Sequence, residues 1–375
     1  MRVMILEDDV WIADLLKQIV LSLRPGAQVA CHGSLDEALS DWQSLAADLL
    51  ICDWNLPDGP GTRLLERVRR DDRSIPLVMI TGRADRDSVL EIRPLHISAF
   101  ITKPFQVPKV LECLDRLLPT FSEITTVETP SAGSFSEFLD AQANNALDLP
   151  LQEGMQERLK ALSQEQPSLQ QLKQQWQDDP ALTAHMLAAA NSSQYNKTAI
   201  PCLSLGEALQ ALGPVTSLNI GIGLSLHAAS QLDDPELRLQ AQALMQQIGQ
   251  LHQRVAELAV ACHLDPGPLH SAALLYRMGE LCLLQQAQLW KSAGHSLSLE
   301  QLSMAMAKTS GELAIRLKLH WRLPTPLREL IGACYVLPTL NLRREVIVMH
   351  LAASELHAVA DAAKLARLRR LAGLT

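Results

Sequence analysis

The stretch DLLICDWNLPDGPG, Asp48–Gly61, decides the reading of the fold. Its apolar run Leu49–Cys52 has the length of a buried strand, ends on the carboxylate of Asp53, and is followed by a Pro- and Gly-rich turn. Outward from it lie four further short apolar runs, Val3–Leu6, Gln28–Cys31, Leu77–Ile80 and Phe100–Thr102. The segments between them, such as Val10–Leu23 and Thr62–Arg70, repeat their apolar residues every three to four positions, as amphipathic helices do. Strands alternating with helices predict βαβ units, hence an α/β doubly wound sheet of five parallel strands over residues 1–119. Such sheets bind ligands outside the carboxyl ends of their strands.

At those ends the sequence places Glu7-Asp8-Asp9 after the first strand, Asp53 after the third, Thr81-Gly82 after the fourth and Lys103-Pro104-Phe105 after the fifth. Three converging carboxylates stay ionised together only with a cation, and oxygen donors point to a hard ion such as Mg²⁺. A lysine and a hydroxyl beside a metal-bound carboxylate are the parts needed to receive a phosphoryl group on it, because charge on the transferring oxygens must be neutralised from several sides.

With these residues in this order, residues 1 to about 118 resemble the receiver domain of bacterial two-component response regulators. The resemblance implies a flavodoxin-like fold and assigns roles by position. Asp53 would be the phospho-acceptor. Glu7 and Asp8 would be the acidic pair, Asp8 the direct metal ligand and Glu7 acting partly through water, and Asn55 would add its backbone carbonyl to the metal shell. Thr81 would be the switch hydroxyl, Lys103 the lysine that pairs with the phosphoryl group, and Phe100 the aromatic whose rotamer follows activation. It further implies Mg²⁺ as cofactor, a sensor histidine kinase or phosphotransfer protein as donor, and signalling through the face of the fourth and fifth receiver helices. Pro94, near the end of the fourth, departs from the family's small residues and leaves homodimer formation open.

Residues 120–145, rich in Ser, Thr, Ala and Glu with Phe135, Phe138 and Leu139 as apolar anchors, read as a linker. From residue 146 to 375 no period-two run appears, and helical stretches follow one another with Pro and Gly punctuation, so this half is predicted to be all-α. The stretches DPALTAHMLAAANSSQY (179–195), SLGEALQALGPVTSLNIGIGLSL (204–226) and HWRLPTPLRELIGACYVL (320–337) resemble the HDOD domain, a helical relative of the HD-superfamily phosphohydrolases. An active HD enzyme needs a His, a His-Asp pair and a distal Asp to hold metal. The resemblance puts His252 at the first of these positions, Tyr276-Arg277 at the pair, Ala353 at the distal Asp and Cys334-Tyr335 where active relatives often carry two further histidines. It therefore implies an output domain that is not an enzyme and binds a downstream signalling protein. His350 and His357 share a helix face but read as ordinary histidines, and the basic tail Lys364–Arg370 reads as a solvated last turn.

Composition bounds the alternatives. The 375 residues suit two or three domains at roughly 100–200 residues each, and 47% hydrophobic with 20% charged residues excludes wholesale disorder. Residues 1–119 hold 14 Lys and Arg against 18 Asp and Glu, so each half carries four of the eight net negative charges and neither is a nucleic-acid-binding half. Seven widely spaced cysteines with no CxxC suit reduced cytoplasm, and the acidic start excludes a signal peptide. No membrane or nucleic-acid partner is expected. The weighed rivals are an HD-type metal-dependent cyclic-dinucleotide phosphodiesterase and a DNA-binding transcriptional regulator.

Overall fold

The computed structural model describes residues 1–82, 92–118, 133–165, 167–339, 342–356 and 361–374. They form two compact units. The first unit is built on a five-stranded parallel sheet of β1 (Arg2–Leu6), β2 (Gln28–His32), β3 (Leu49–Asp53), β4 (Leu77–Thr81) and β5 (Ala99–Thr102), in the order β2-β1-β3-β4-β5. Strands β1, β3 and β4 are almost wholly buried, which is why they read as unbroken apolar runs. The ladder continues one residue past the apolar runs, with Asp53 pairing with Ile80 and Thr81 with Thr102. A polar side chain at a strand's last position faces the sheet edge while its backbone still pairs. Helices α1 (Val10–Leu23), α2 (Leu35–Ser44), α3 (Thr62–Asp71) and α4 (Val107–Leu117) accompany the sheet. Pro94 lies in a single 3-10 turn, Arg93–Leu95, and residues 83–91, which precede it, lie outside the described residues.

The second unit is helical: α5 (Phe135–Ala141), α6 (Met155–Leu162, whose later residues belong to the first unit), α7 (Leu169–Trp176), α8 (Pro180–Ala190), α9 (Leu205–Ser225), α10 (Pro235–Ala261), α11 (Pro266–Leu275), α12 (Met278–Ser292), α13 (Leu299–His320), α14 (Thr325–Ala333), α15 (Arg344–Leu356) and α16 (Ala362–Ala372). Asp179 caps α8 by accepting from the Leu182 N–H at 2.9 Å, with Pro180 in the first turn. The end of the stretch that reads as a linker, from Pro130, is part of this unit. Ser134 and Glu137 form a capping box for α5, and Phe135 and Phe138 pack on Trp290 with ring centroids 5.8 and 5.3 Å away. Gly279 brings α12 against α13, since a Cβ there would stand 1.9 Å from the Ser310 carbonyl oxygen. Among the described residues no helix is long and apolar enough to cross a membrane.

The uncharged run Ala208–Leu232, by its sequence a buried helical segment, is helical as far as Ser225 but kinked. At Gly213 the backbone turns to φ 74°, a conformation that favours glycine, and Pro214 lacks an amide hydrogen, so α9 breaks there. Its second part, Val215–His227, belongs to the first unit together with residues Met1–Thr129 and Glu157–Gln166.

Candidate functional site

The carboxyl edge of the sheet gathers the residues singled out by sequence. Glu7 follows β1, and its N–H donates to the His32 carbonyl at 3.0 Å, which carries the β1–β2 pairing one step further. Asp53 is the last residue of β3, and Lys103 follows β5, its N–H bound to the Thr81 carbonyl at 2.7 Å. The Lys103 ammonium reaches both Glu7 oxygens at 2.8 and 2.7 Å and Asp53 Oδ2 at 2.8 Å. Glu7 is only 3% exposed and Asp53 6%, so the three charges meet away from bulk water.

Burial pushes the Glu7 carboxyl up to about 8, with the Asp53 charge adding to the effect and Lys103 opposing it. Asp8, half-buried, is raised by burial and by Asp53. Burial alone would lower the Lys103 ammonium, but Glu7 and Asp53 outweigh it and the net direction is up. One ammonium among three carboxylates leaves the pocket short of positive charge.

Glu7, Asp8 and Asp53 each offer a carboxylate oxygen, and these atoms lie within 4.8 Å of one another. Oxygen donors at this spacing fit a magnesium ion, which receiver domains generally use. Asp9 has a different task. Its Oδ1 accepts from Trp11 N–H at 2.9 Å and Ile12 N–H at 3.4 Å, capping α1, so the third member of the cluster is Asp53. Asn55 stands beside the cluster through its N–H, which donates to Asp53 Oδ1 at 3.3 Å. Thr81 is fully buried at the end of β4, and Phe100 is partly buried against the core that includes Met79 and Leu77.

Sequence reasoning missed Gly61. A Cβ there would lie 1.9 Å from the Asp53 carbonyl oxygen and 2.6 Å from Cys52 Sγ, and the Gly61 N–H closes the turn onto the Trp54 carbonyl at 2.8 Å. The glycine is what lets the turn fold back under Asp53. The signal, a Gly before the third helix, is indistinguishable in sequence from an ordinary helix start.

In the helical unit the positions compared with HD ligands hold a different arrangement. The Arg277 guanidinium donates to Glu280 Oε1 and to Gln247 Oε1, both at 2.7 Å, and the Tyr335 hydroxyl donates to the Tyr276 carbonyl. His252 does not stand there, contrary to the sequence expectation. Helices α10 and α11 form an antiparallel pair turning near Cys262–Asp265, so the residue opposite Arg277 is Gln247, while His252 meets His270 with ring centroids 4.2 Å apart. Ala353 is buried, and the His350 ring pairs with the Ala333 carbonyl at 2.8 Å. His357 lies outside the described residues. Sequence reasoning also missed a buried pair, His185 Nε2 with Asp148 Oδ1 at 2.7 Å.

The parallel sheet with its acidic pocket and lysine defines a receiver fold, and the following unit is an assembly of helices. Comparison agrees: residues 3–115 match the response regulator receiver domain and residues 149–336 the HDOD domain. The chain belongs to the HDOD family and carries a response regulator receiver domain ahead of its HDOD domain. It is similar to the chemotaxis protein CheY of Pseudomonas aeruginosa, with 33% identity over 72 residues, 19% of this chain and 58% of that protein. It is also similar to the transcriptional regulatory protein PhoP of Escherichia coli, with 29% identity over 118 residues, 32% of this chain and 52% of that protein. The chain thus spans little more than half the length of these relatives. Among solved structures, the MmoQ response regulator from Methylococcus capsulatus is 19% identical, covers 60% of this chain and 94% of its own, and gives a TM-score of 0.44. The non-phosphorylated HemR receiver domain from Leptospira biflexa is 27% identical, with coverage of 32% and 98% and a TM-score of 0.29.

Proposed function

We propose that the chain is a cytoplasmic two-component response regulator in which Asp53 accepts a phosphoryl group from a histidine kinase or phosphotransfer protein, and in which the HDOD domain acts on partner proteins without catalysis of its own. The observation that carries this reading is the Lys103 ammonium bridging Glu7 and Asp53 within an acidic, nearly buried pocket.

In the transfer, an Asp53 oxygen forms a bond to phosphorus while the bond from phosphorus to the donor nitrogen breaks, and the donor imidazole leaves neutral once protonated. Glu7, Asp8, Asp53 and the Asn55 carbonyl would hold Mg²⁺, which when bound supplies charge neutralisation on the phosphoryl oxygens. Lys103 then exchanges part of its contact with Asp53 for a phosphoryl oxygen, and the Thr81 hydroxyl, at the adjacent strand end, donates to another. Phe100, one strand-step from the site, follows that closure. For the HDOD domain, a guanidinium at the Arg277 position, paired with Glu280 and Gln247, supports a site that does not hold a metal cation.

The test is to incubate the full chain with Mg²⁺ and a small phosphoramidate donor and to map the adduct by mass spectrometry. One phosphoryl group on Asp53, absent from Asp53→Ala, is expected. No adduct, or one that persists unchanged in Asp53→Ala, overturns the proposal.

A further inference from the structure

The second part of the stretch that resembles the HDOD domain at 204–226 is seated on the receiver. Within the first unit, Leu218, Ile220, Ile222 and Leu224 of Val215–His227 are all buried. Three contacts mark the seat. The Asn219 side-chain amide donates to the Phe105 carbonyl at 3.1 Å, the His227 ring pairs with Asp14 Oδ2 at 3.0 Å, and a Cβ on Gly223 would stand 3.2 Å from the Leu15 methyl.

Phe105 is two residues beyond Lys103, and Phe105 is itself buried, so the two ends of this tripeptide are tied to different things. Its lysine end holds Glu7 and Asp53; its Phe105 end holds Asn219. Upstream, the left-handed Gly213 and Pro214 kink α9 just before Val215.

We propose that Val215–His227 is the element through which the receiver's phosphorylation state is passed on, and that Asn219 is a positioning residue for the Lys103–Phe105 turn. The inference rests on the function proposed above. A phosphoryl group on Asp53 draws Lys103 toward new oxygen partners. The turn follows, and the Asn219–Phe105 bond and the seat of the segment differ between the two states; a ligand shifts an equilibrium only through such differential contacts. Conversely, the seated segment sets where Lys103 stands, so it governs how long the phosphoryl group stays.

The test compares amide hydrogen exchange in the full chain with and without beryllofluoride and Mg²⁺, using protection at residues 53–61 as the report that the mimic has bound. Exchange over 215–227 is expected to change about tenfold on binding and to be indifferent to the mimic in Asp53→Ala. Asn219→Ala should alter the phospho-Asp53 lifetime by about threefold or more, Asn219→Gln should restore it in part, and Gly223→Leu, which unseats the segment at Leu15, should reproduce the Asn219→Ala lifetime. Protection at 53–61 with unchanged exchange at 215–227, or a lifetime that neither variant moves, overturns this inference and leaves the proposed function standing. No protection at 53–61 and no adduct on Asp53 overturns both.

Discussion

The receiver pocket and the Arg277 site of the HDOD domain each hold a cation against carboxylate, and they differ in whether the charges balance. In the receiver one ammonium, Lys103, faces Glu7, Asp53 and the neighbouring Asp8. In the HDOD domain one guanidinium, Arg277, faces one carboxylate, Glu280, and its remaining fork is taken by the neutral Gln247 amide. The first arrangement carries surplus negative charge in a low-dielectric pocket, which costs folding free energy until a cation enters. The second pairs one cation with one carboxylate, so its charges balance, although the buried Arg277 Nε has no partner among the described residues. Surplus charge thus marks the site prepared for chemistry, and a closed pair marks a site that ancestry alone would nominate.

The largest effect expected from breaking this difference is at Lys103. Lys103→Met should slow phosphoryl uptake by about 100-fold or more, the scale of losing one group that stabilises developing charge. It should also tighten Mg²⁺ binding at least ~3-fold, because the competing ammonium is gone. Arg277→Met should change neither quantity. Isothermal titration with Mg²⁺ and single-turnover labelling read both. Weaker Mg²⁺ binding in Lys103→Met would show that the ammonium organises the carboxylates rather than competing with the metal.

Next in size are the two glycines that let backbone pass close to backbone. Gly61→Ala forces the Asp53 carbonyl away from the turn, so it should cost about 1–3 kcal/mol of receiver stability and lower phosphoryl uptake with it. Gly279→Ala meets the Ser310 carbonyl and should cost a similar amount, with uptake on Asp53 unaffected. Denaturant midpoints and labelling rates separate the two; equal loss of uptake in both would deny that Gly61 acts on the site locally.

A smaller, pH-dependent effect follows from Glu7. Its folded value of about 8 stands above the ordinary 4.5, so across that window the metal-free receiver binds more protons folded than unfolded. The Glu7 contribution to its stability should be full below about pH 4.5 and be lost as pH rises through about 8. Mg²⁺ competes with the proton, so the Mg²⁺-induced rise in Tm should grow over the same window. Glu7→Gln should flatten both trends, and a metal-free Tm that rises with pH in this range in a way that depends on Glu7 would contradict the direction.

Sequence made the receiver legible because its chemistry sits at strand ends, where a polar residue interrupting an apolar run is visible by itself. Asp53, Thr81 and Lys103 stand out in this way, and each lies at a sheet edge. What stayed hidden depends on distances between segments. The tight approach at Gly61 is a property of two passing backbones, and the exchange of His252 for Gln247 opposite Arg277 depends on where the α10–α11 turn falls. The same holds for Val215–His227: apolar spacing reports that a face is buried, not against what.

The smallest effect sharpens the comparison at a third cation–carboxylate cluster. Glu355 on α15 accepts from Arg254 Nε of α10 at 2.6 Å and from Arg369 of α16 at 3.0 and 2.7 Å. Here two guanidinium groups surround one carboxylate. Although burial works against the charged form, Arg254 and Arg369 hold the Glu355 carboxyl below its ordinary range. The stability this lends is present above about pH 4.5 and is lost as pH falls through the lower folded value. Glu355→Gln should therefore cost about 1 kcal/mol at pH 7, and the difference from the unmodified chain should close in acid. Arg254→Met should cost more than Arg369→Met, because the Arg254 side chain is 31% exposed and that of Arg369 53%. Arg369 of the basic tail thus pairs within the fold while its side chain stays solvated. A Glu355→Gln cost that persists unchanged at low pH would mean that the side chain packs rather than pairs, and that this cluster belongs with neither of the other two.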